Sequence, residues 1–289
     1  MHMPLVTILL DGVSYGMVLF IISVGLTVTM GLMRVVNLAH GAFAMTGGYV
    51  AAMLMRSGVP FLLAAVLAAV AVGAIGALAE LTIYRPLYRK GELSQALMTF
   101  GLTFVVIALL TMVFGTRIEP LPLPQMLSGL VDIGFRSYPV YRLFLIAIGL
   151  ALATGLWLVI DGSLYGARLR AAVDNPRMAR AVGIDVNRLF TLTFGAGCAL
   201  AAFGGVLGAE LLPLEPFYAL RHLVLFLVVV GVGGLGNFKG SFAAALTIGV
   251  IDTFGKYLLP AAAAYLLYGI VLILLLWRPQ GLVPSKSAA

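Results

Sequence analysis

The sequence predicts an all-α polytopic membrane protein with about nine transmembrane helices. Hydrophobic residues make up 62% of the 289 residues and charged residues only 10%, and the mean hydropathy is +1.10. Several apolar runs reach the roughly 20 residues that one helical crossing of a bilayer requires. Length alone would suggest two soluble domains, but this composition predicts a single transmembrane domain over residues 1–289.

The apolar runs and the turn residues between them divide the chain into nine predicted spans, and eight to ten spans fit the same hydropathy. The first run has no Lys or Arg before it and continues to Met33. It is therefore too long for a signal peptide, and we expect it to be retained. The spans are predicted near residues 5–33, 37–56, 60–84, 93–116, 139–160, 189–212, 220–236, 238–258 and 261–277.

The basic residues orient these spans. Cytoplasmic connections of membrane proteins are enriched in Lys and Arg, so the net charge of +7 indicates this bias rather than nucleic-acid binding. With nine spans the basic connections all fall on one side, which places the N-terminus outside and the C-terminus in the cytoplasm. These connections carry Arg34; Arg85, Arg89 and Lys90; the arginines of 161–188; and Arg278 and Lys286.

Small residues in the third and sixth spans predict closely packed helices. Gly204 and Gly208 form a GxxxG pair, which lets two helix backbones approach each other. The only cysteine, Cys198, lies inside the same apolar run. It predicts neither a disulfide framework nor a metal site of familiar spacing.

The polar loop 161–188 contains a short helix with clear start and stop signals. Asn175 can cap the free backbone N–H groups, and Pro176 follows at the first helical position. Gly183 supplies the left-handed stop. A helix of about two turns is marginal by itself, so we expect it to dock on another surface. It is either a surface loop helix or a contact for a soluble partner.

The helical period distributes the side chains of this loop helix between two faces. Met178, Ala179 and Val182 are predicted to share an apolar face. Arg177 and Arg180 are predicted to share a second, charged face.

Polar residues within the spans are candidates for a functional site, because a bilayer offers buried polar groups no water. Asn37 and His40 lie three residues apart, on one predicted helix face, and Gly41 leaves room for a solute or another backbone. For His40 the alternative is a structural interhelical hydrogen bond. Asn237 begins a second stretch that resembles the first, which indicates either an internal repeat, as in many transporters, or a chance similarity.

The charged residues near the spans are assigned more simply. Lys239 can extend to the membrane interface from its helix end. Asp252 is deeper and needs a partner that the sequence does not identify. Glu80 and Glu210 lie near predicted span ends, and we expect both to be solvated.

Catalytic patterns are absent from the sequence. It contains no HExxH motif, and GVGGLGNFKGS (231–241) differs from a phosphate-binding loop, because Lys239 is followed by glycine and the segment joins two apolar spans. We therefore predict no ATPase site on this chain.

Five blocks together resemble the permease subunits of branched-chain amino-acid ABC importers, most closely the subunit that carries a VNLAHG stretch near its N-terminus. The blocks stand in the family's order and span nearly the whole chain. They are GLMRVVNLAHGAFAMTGGYVAA (31–52), MTFGLTFVV (98–106), GARLRAAVDNPRMARAVGIDVNRLFTLTFGAGCALAAFGGVL (166–207), VVVGVGGLGNFKGSFAAAL (228–246) and WRPQGL (277–282).

The resemblance implies that the loop within 161–188 carries a coupling helix, which docks on a separate ATPase subunit. The family pattern there resembles D-P-E-A-A-R-x-x-G. This chain has Arg177 where an acid is common and Met178 where a small residue is common. The residues implied in coupling are Asn175, Pro176, Arg177, Ala179, Arg180 and Gly183.

The resemblance also implies that Asn37, His40, Gly41 and Asn237 line the substrate path. Transport would proceed by alternating access in the inner (plasma) membrane of a bacterium. The implied partners are a second homologous permease subunit, two ATP-binding subunits that hydrolyse the ATP, and a periplasmic or lipid-anchored solute-binding protein. No cofactor bound by this chain and no nucleic acid are implied.

Two alternatives stay open at the level of the sequence. The same machinery serves urea, short amides and small aromatic or aliphatic carboxylates in related permeases. A self-sufficient secondary transporter or channel would instead need coupling ions and paired intramembrane carboxylates. Asp252 is the only deep acid that the sequence identifies, which weighs against this second alternative.

Overall fold

Apolar helices dominate the computed structural model, which describes residues 2–33, 35–88, 90–132, 134, 137–278 and 281–282. A helix lies at each of the nine predicted span positions within these residues. The α-helices are α1 (His2–Leu26), α2 (His40–Arg56), α3 (Phe61–Ala79), α4 (Arg85–Leu87), α5 (Glu92–Phe114), α6 (Val140–Ile160), α7 (Leu164–Asp174), α8 (Pro176–Ala181), α9 (Val186–Gly208), α10 (Tyr218–Gly233), α11 (Phe238–Leu258) and α12 (Ala263–Trp277).

Two of the long helices end in a π-helical turn. Thr27–Leu32 continues α1 and Glu80–Tyr84 continues α3. A short 3₁₀ turn, Pro260–Ala262, precedes α12. Such π turns insert an extra residue into the helical hydrogen-bond ladder and are frequent at functional sites.

Six helical stretches among the described residues are long and apolar enough to cross a membrane. Of the other predicted spans, α10 is apolar but shorter, α2 has 17 residues, and α11 carries Lys239, Asp252 and Lys256. The count of nine crossings and the orientation of the termini therefore stay predictions. The six stretches are Leu5–Gly31, Phe61–Leu87, Glu92–Phe114, Val140–Ile160, Val186–Gly208 and Pro260–Trp277.

The first and ninth α-helices form the centre of the bundle. α1 packs against α6, α9, α10 and α11, whereas α9 packs against α1, α2 and α3. The predicted close approach at Gly204 is confirmed, because a methyl group added there would lie 2.9 Å from the backbone nitrogen of Ile22 on α1. The buried Cys198 lies in the same central helix. α5, α6 and α12 are peripheral and leave many apolar side chains exposed, as expected of surfaces that face lipid.

The segment between α5 and α6 departs from the all-α prediction. Strands β1 (Leu130–Asp132) and β2 (Ser137–Pro139) form a small antiparallel hairpin in which Val131 pairs with Tyr138. The Asp132 carboxylate accepts a hydrogen bond from the backbone N–H of Gly134, whose φ of +90° lies in the left-handed region. This turn chemistry favours a hairpin, but a hydropathy analysis does not detect it.

Some of the basic residues that orient the predicted spans lie outside the described residues. They are Arg34, Arg89 and Lys286.

Candidate functional site

Met33 and residues 35–39, which lie between the end of the π turn and the start of α2, are not helical. We call residues 35–39 the α1–α2 break. Asn37 lies within it and His40 is the first residue of α2. The expectation that Asn37 and His40 share a helix face is therefore wrong, because the backbone at Asn37 has not yet become helical.

A polar stripe on α5 satisfies the free backbone groups of the α1–α2 break. The backbone N–H of Val36 donates to the Gln95 side-chain oxygen at 3.0 Å, and that of Leu38 donates to the Thr99 hydroxyl at 3.1 Å. The Thr103 hydroxyl donates to the carbonyl of Leu38 at 3.4 Å. Irregular backbone at membrane depth requires such partners.

The sequence analysis missed this stripe, although its signal is visible. Gln95, Thr99 and Thr103 recur every four residues on an otherwise apolar helix, so they share one face. A regular polar stripe on an apolar helix predicts a neighbouring segment whose backbone groups need partners.

Asn37 is fully buried within the break. Its side-chain oxygen accepts hydrogen bonds from the Tyr84 hydroxyl at 2.9 Å and from the backbone N–H of Ala39 at 3.1 Å. Its amide nitrogen has no hydrogen-bond partner among the described residues. A buried polar group without a partner is unusual in a folded protein, which makes this amide a candidate for a functional contact.

His40 and Gly41 make close contacts between helices. The His40 Nε2 donates to the carbonyl of Ile22 on α1 at 2.7 Å, which is the interhelical hydrogen bond given above as the alternative to a path role. A methyl group added at Gly41 would lie 2.9 Å from the carbonyl oxygen of Ala219 on α10. Another backbone therefore fills the space beside Gly41.

Asn237 caps the start of α11. Its side-chain oxygen accepts a hydrogen bond from the backbone N–H of Gly240 at 3.0 Å. The turn before it contacts the π turn of α1, since a methyl group added at Gly31 would overlap the backbone nitrogen of Gly236. The π turn that precedes Asn37 in the chain therefore packs against the turn that precedes Asn237.

Two further charged residues near the spans have partners. The Lys239 ammonium lies 3.5 Å from the Asp161 carboxylate and 4.9 Å from the centre of the Trp157 ring, as expected of a lysine that extends out of a helix end. The buried Asp252 carboxylate pairs with the Lys256 ammonium one turn further along α11.

The loop 161–188 folds into two helices, α7 and α8, rather than the single helix that the sequence predicts. The predicted capping is confirmed, because the Asn175 side chain accepts a hydrogen bond from the backbone N–H of Met178 at 3.0 Å. Gly183 has a φ of +87°, and the backbone N–H of Ile184 donates to the carbonyl of Ala179 at 3.0 Å. This is the glycine stop of a helix C-terminus.

The side chains of α8 divide between the interior and the solvent. Ala179 is 3% exposed and packs with Leu169, Val186 and Leu189, whereas Met178 is 62% exposed and Val182 70%. The prediction of one shared apolar face is therefore wrong. Met178 and Val182 are four residues apart and lie on the same outward face, while Ala179 is rotated by about 100° from Met178.

Arg177 and Arg180 are also exposed on α8. Together with Met178 and Val182 they form a surface of two apolar and two cationic side chains, which we call the α8 surface. The helix that carries it is capped at both ends and held by a small core of its own.

Glu80 is buried, so the expectation that it is solvated is wrong; Glu210, by contrast, is exposed as expected. The Glu80 carboxylate accepts two hydrogen bonds from Arg85, at 2.9 and 3.2 Å, and one from the Thr191 hydroxyl of α9 at 2.7 Å. The Tyr88 hydroxyl donates a further bond at 3.0 Å. Burial and the neighbouring Glu80 carboxylate raise the pKa of Tyr88 well above its usual range, so its hydroxyl stays protonated and remains a donor.

A second buried acid, Asp11, lies near the opposite end of α6 from the α8 surface. Its carboxylate pairs with the Arg142 guanidinium and accepts hydrogen bonds from the Tyr138 hydroxyl at 2.8 Å and from the Tyr257 hydroxyl at 3.3 Å. Burial and the Asp11 carboxylate raise the pKa of Tyr138. Asp11 and Glu80 join Asp252 as buried acids, which corrects the expectation of a single deep acid.

The described residues contain no group of three or more His, Cys, Asp or Glu side chains placed to hold a metal ion. The described residues do provide a non-helical segment that holds the buried Asn37 side chain and an exposed surface of apolar and cationic side chains on the loop 161–188. Glu80 with its partners Arg85, Tyr88 and Thr191 forms a third feature, which we call the Glu80 cluster.

Comparison with known families finds one match along most of the chain. The profile described as "Branched-chain amino acid transport system / permease component" matches residues 8–276. No solved structure matches the chain at a significant level.

Similar curated proteins carry corresponding names. The chain is 26% identical to the high-affinity branched-chain amino acid transport system permease protein BraD of Pseudomonas aeruginosa, over 95% of this chain and 94% of that protein. It is 26% identical to the permease protein LivH of Escherichia coli K12, over 94% of this chain and 93% of that protein. It is also 27% identical to the permease protein LivM of Salmonella typhimurium, over 95% of this chain and 69% of that protein.

Proposed function

The chain belongs to the family of permease components of branched-chain amino acid transport systems, and on this premise we propose that it carries branched-chain amino acids into the cytoplasm by alternating access, driven by separate ATP-binding subunits. It is a multi-pass protein of the inner membrane. In this proposal residues 1–289 form one transmembrane domain of nine spans. The N-terminus is outside, and the loop within 161–188 lies in the cytoplasm.

The observation that carries the proposal is the α8 surface. Met178 and Val182 are exposed on a polar loop, where apolar side chains gain stability only if another protein covers them. The two arginines beside them can form charge-assisted hydrogen bonds with carboxylates of such a partner. A permease without a nucleotide-binding motif of its own needs this kind of contact with an ATPase.

The coupling residues of the proposal are those implied by the family resemblance. Asn175 and Gly183 fix the two ends of α8, Ala179 anchors the helix to the permease, and Arg177 and Arg180 face the partner. Pro176 begins the helix without leaving a free N–H group. This division of roles is supported by the capping and burial described above.

The substrate path of the proposal runs beside the α1–α2 break. Interrupted helices are common in transporter binding sites, because the break exposes backbone groups and side chains toward the path. The free amide of Asn37 is the residue group best suited to contact an amino-acid carboxylate. The N-termini of the surrounding helices also line the path in this proposal, through His40 and Gly41 of α2 and through Asn237, which caps α11.

The partners of the proposal follow from the family. Relatives named LivH and LivM both match this chain over more than nine-tenths of its length, which supports pairing with a second homologous permease. Two ATP-binding subunits hydrolyse the ATP, and a periplasmic or lipid-anchored solute-binding protein delivers the solute. The chain itself binds no cofactor.

The buried acids argue against a self-sufficient secondary transporter. Asp11, Glu80 and Asp252 each pair with a cationic side chain of the same chain. A carboxylate that is held by an internal cation is a poor site for a coupling ion. No observation favours a second function.

The proposal is tested by placing charges on the α8 surface. The double variant Met178→Asp, Val182→Asp replaces both exposed apolar side chains, and we expect tagged protein from native membranes to lose its ATP-binding subunits. Met126→Asp is the matched control, because Met126 is an exposed methionine in the connection between α5 and α6. Equal recovery of ATP-binding subunits with both variants would contradict the proposal.

A further inference from the structure

We propose that packing contacts and hydrogen bonds form a continuous connection from the α8 surface through the π turn Glu80–Tyr84 to Asn37 in the α1–α2 break, which we call the α8–Asn37 connection. This inference rests on the proposed function, since it describes how ATPase docking reaches the substrate path. Glu80, Tyr84 and Thr191 act in it as positioning residues, which contact neither nucleotide nor solute.

The first step joins α8 to α9. Ala179 packs with Val186 and Leu189, which lie in the first turn of α9. The backbone N–H of Ile184 donates to the carbonyl of Ala179. Only Asp185 separates Ile184 from α9, so a displacement of α8 is passed directly to the start of α9.

The second step joins the start of α9 to the π turn. The Arg85 guanidinium donates to the carbonyl of Asn187 at 3.3 Å and to the Thr191 hydroxyl at 2.7 Å. The Thr191 hydroxyl also lies 2.7 Å from the Glu80 carboxylate. Because Glu80 is fully buried, releasing it from these partners is costly, and we expect Glu80 to move together with the first turns of α9.

The third step joins the π turn to the break. Glu80 and Tyr84 are the first and last residues of the same π turn. The Tyr84 hydroxyl donates to the Asn37 side-chain oxygen at 2.9 Å, and the Tyr84 ring lies 4.5 Å from the Phe194 ring of α9. A single π turn inside an α-helix is rare and is frequent at functional sites, and in this inference it is the part of the helix that changes its pitch.

The α8–Asn37 connection therefore ends at Asn37, the residue whose side-chain amide is proposed to contact the solute. The Asn37 side-chain oxygen accepts a hydrogen bond from Tyr84, and its amide nitrogen has no partner in the described part of the chain. A rotation of Tyr84 would redirect this amide. In this inference the π turn has two conformations, and both the α8 surface and the solute site shift the equilibrium between them. A coupling mechanism requires such a two-state element.

The first arm of the test uses hydrogen exchange on the detergent-solubilised protein, with its co-purifying subunits. Thr191→Val removes a hydroxyl that does not contact the break, and we expect the backbone amides of residues 35–39 to exchange about threefold faster or more. Thr247→Val is the matched control, because its hydroxyl bonds only to the carbonyl of Ala243 on its own helix. Identical exchange of residues 35–39 in the two variants would overturn the inference.

The second arm uses the complete importer in proteoliposomes and measures the radiolabelled leucine taken up per ATP hydrolysed. Tyr84→Phe should lower this ratio by about threefold to tenfold while the ATP-binding subunits stay attached. Tyr141→Phe is the control. Tyr141 is also buried, and its hydroxyl donates to the carbonyl of Leu207, which takes no part in the α8–Asn37 connection. An unchanged ratio in Tyr84→Phe would overturn the inference.

The two arms separate this inference from the proposed function. If the wild-type importer shows no ATP-dependent leucine uptake, the proposed function fails for that solute. The rate of backbone hydrogen exchange of residues 35–39 in Thr191→Val then still tests whether the α8–Asn37 connection exists.

Discussion

The protein contains two buried clusters with nearly the same chemistry and different surroundings. In one, Glu80 pairs with Arg85 and accepts a bond from Tyr88; in the other, Asp11 pairs with Arg142 and accepts a bond from Tyr138. The Glu80 cluster contacts α9 just after the loop 161–188, and the π turn joins Glu80 to Tyr84, which donates to Asn37. The Asp11 cluster instead ties α1, α6, α11 and the β-hairpin together.

The two clusters differ in their position in the bundle rather than in their composition, and we expect this position to determine their roles. Both acids need a cation because burial makes an isolated carboxylate costly. We therefore expect the two clusters to contribute similarly to stability. Only the Glu80 cluster should affect how ATP hydrolysis is coupled to transport.

The largest expected effect comes from removing the cation in each cluster. Arg85→Met and Arg142→Met each leave a buried carboxylate without its ion pair, and we expect each to destabilise the protein by about 3 kcal/mol. Thermal unfolding in detergent measures this loss. Of these two variants, only Arg85→Met should also lower the amount of leucine taken up per ATP hydrolysed. An equal ratio of uptake to ATP hydrolysis in both variants would contradict the proposed difference between the clusters.

Smaller effects are expected from two glycines with the same backbone conformation. Gly183 has a φ of +87° and Gly134 a φ of +90°, and among the described residues, chain neighbours apart, no atom lies within 4 Å of a methyl group added at either glycine. Alanine at either position should therefore cost about 1 kcal/mol from backbone strain alone.

The functional consequences of these two alanine variants should differ. Gly183→Ala disturbs the end of α8, so we expect weaker recovery of ATP-binding subunits and lower uptake. Gly134→Ala lies in the hairpin beside Tyr138 and should retain both. Comparable recovery of ATP-binding subunits from the two variants would argue against the coupling role of Gly183.

The smallest expected effect comes from single hydroxyl groups. Tyr88→Phe and Tyr138→Phe each remove one hydrogen bond to a buried carboxylate, at a cost of about 1 to 2 kcal/mol. Denaturation midpoints should fall by similar amounts in both. The amount of leucine taken up per ATP hydrolysed should fall in Tyr88→Phe only. A fall in Tyr138→Phe would show that the Asp11 cluster also takes part in coupling.

Hydropathy predicts where the long helices lie, because the burial of apolar side chains decides those positions. The caps of α8 are also predicted, since Asn175 and Gly183 act on backbone groups only a few residues away. Short-range chemistry is thus visible in the sequence. The hairpin and α7 are the exceptions, because neither carries a strong apolar pattern.

The long-range polar contacts are what the sequence does not predict. Glu80 was expected in water because it lies near the end of an apolar run, but one of its partners, Thr191, is more than a hundred residues away. Asn37 was expected on a helix because α2 follows it closely. Its true conformation depends on Gln95 and Thr99 of α5, which satisfy the backbone around it.

The α8 surface shows a limit of a different kind. The residues of the helix were identified from the sequence, but Ala179 was assigned to the same face as Met178 and Val182. Only the packing of Ala179 against Val186 and Leu189 shows which apolar residues face inward. The two exposed side chains are the ones available to a partner.

In the proposed function, this permease works only as part of an ATP-driven assembly. The most direct test is to recover the tagged full-length chain from native membranes in mild detergent and to count its partners by native mass spectrometry. We predict two ATP-binding subunits and one second permease for each copy of this chain. Recovery of the chain alone, or as a homo-oligomer without ATP-binding subunits, would contradict the claim.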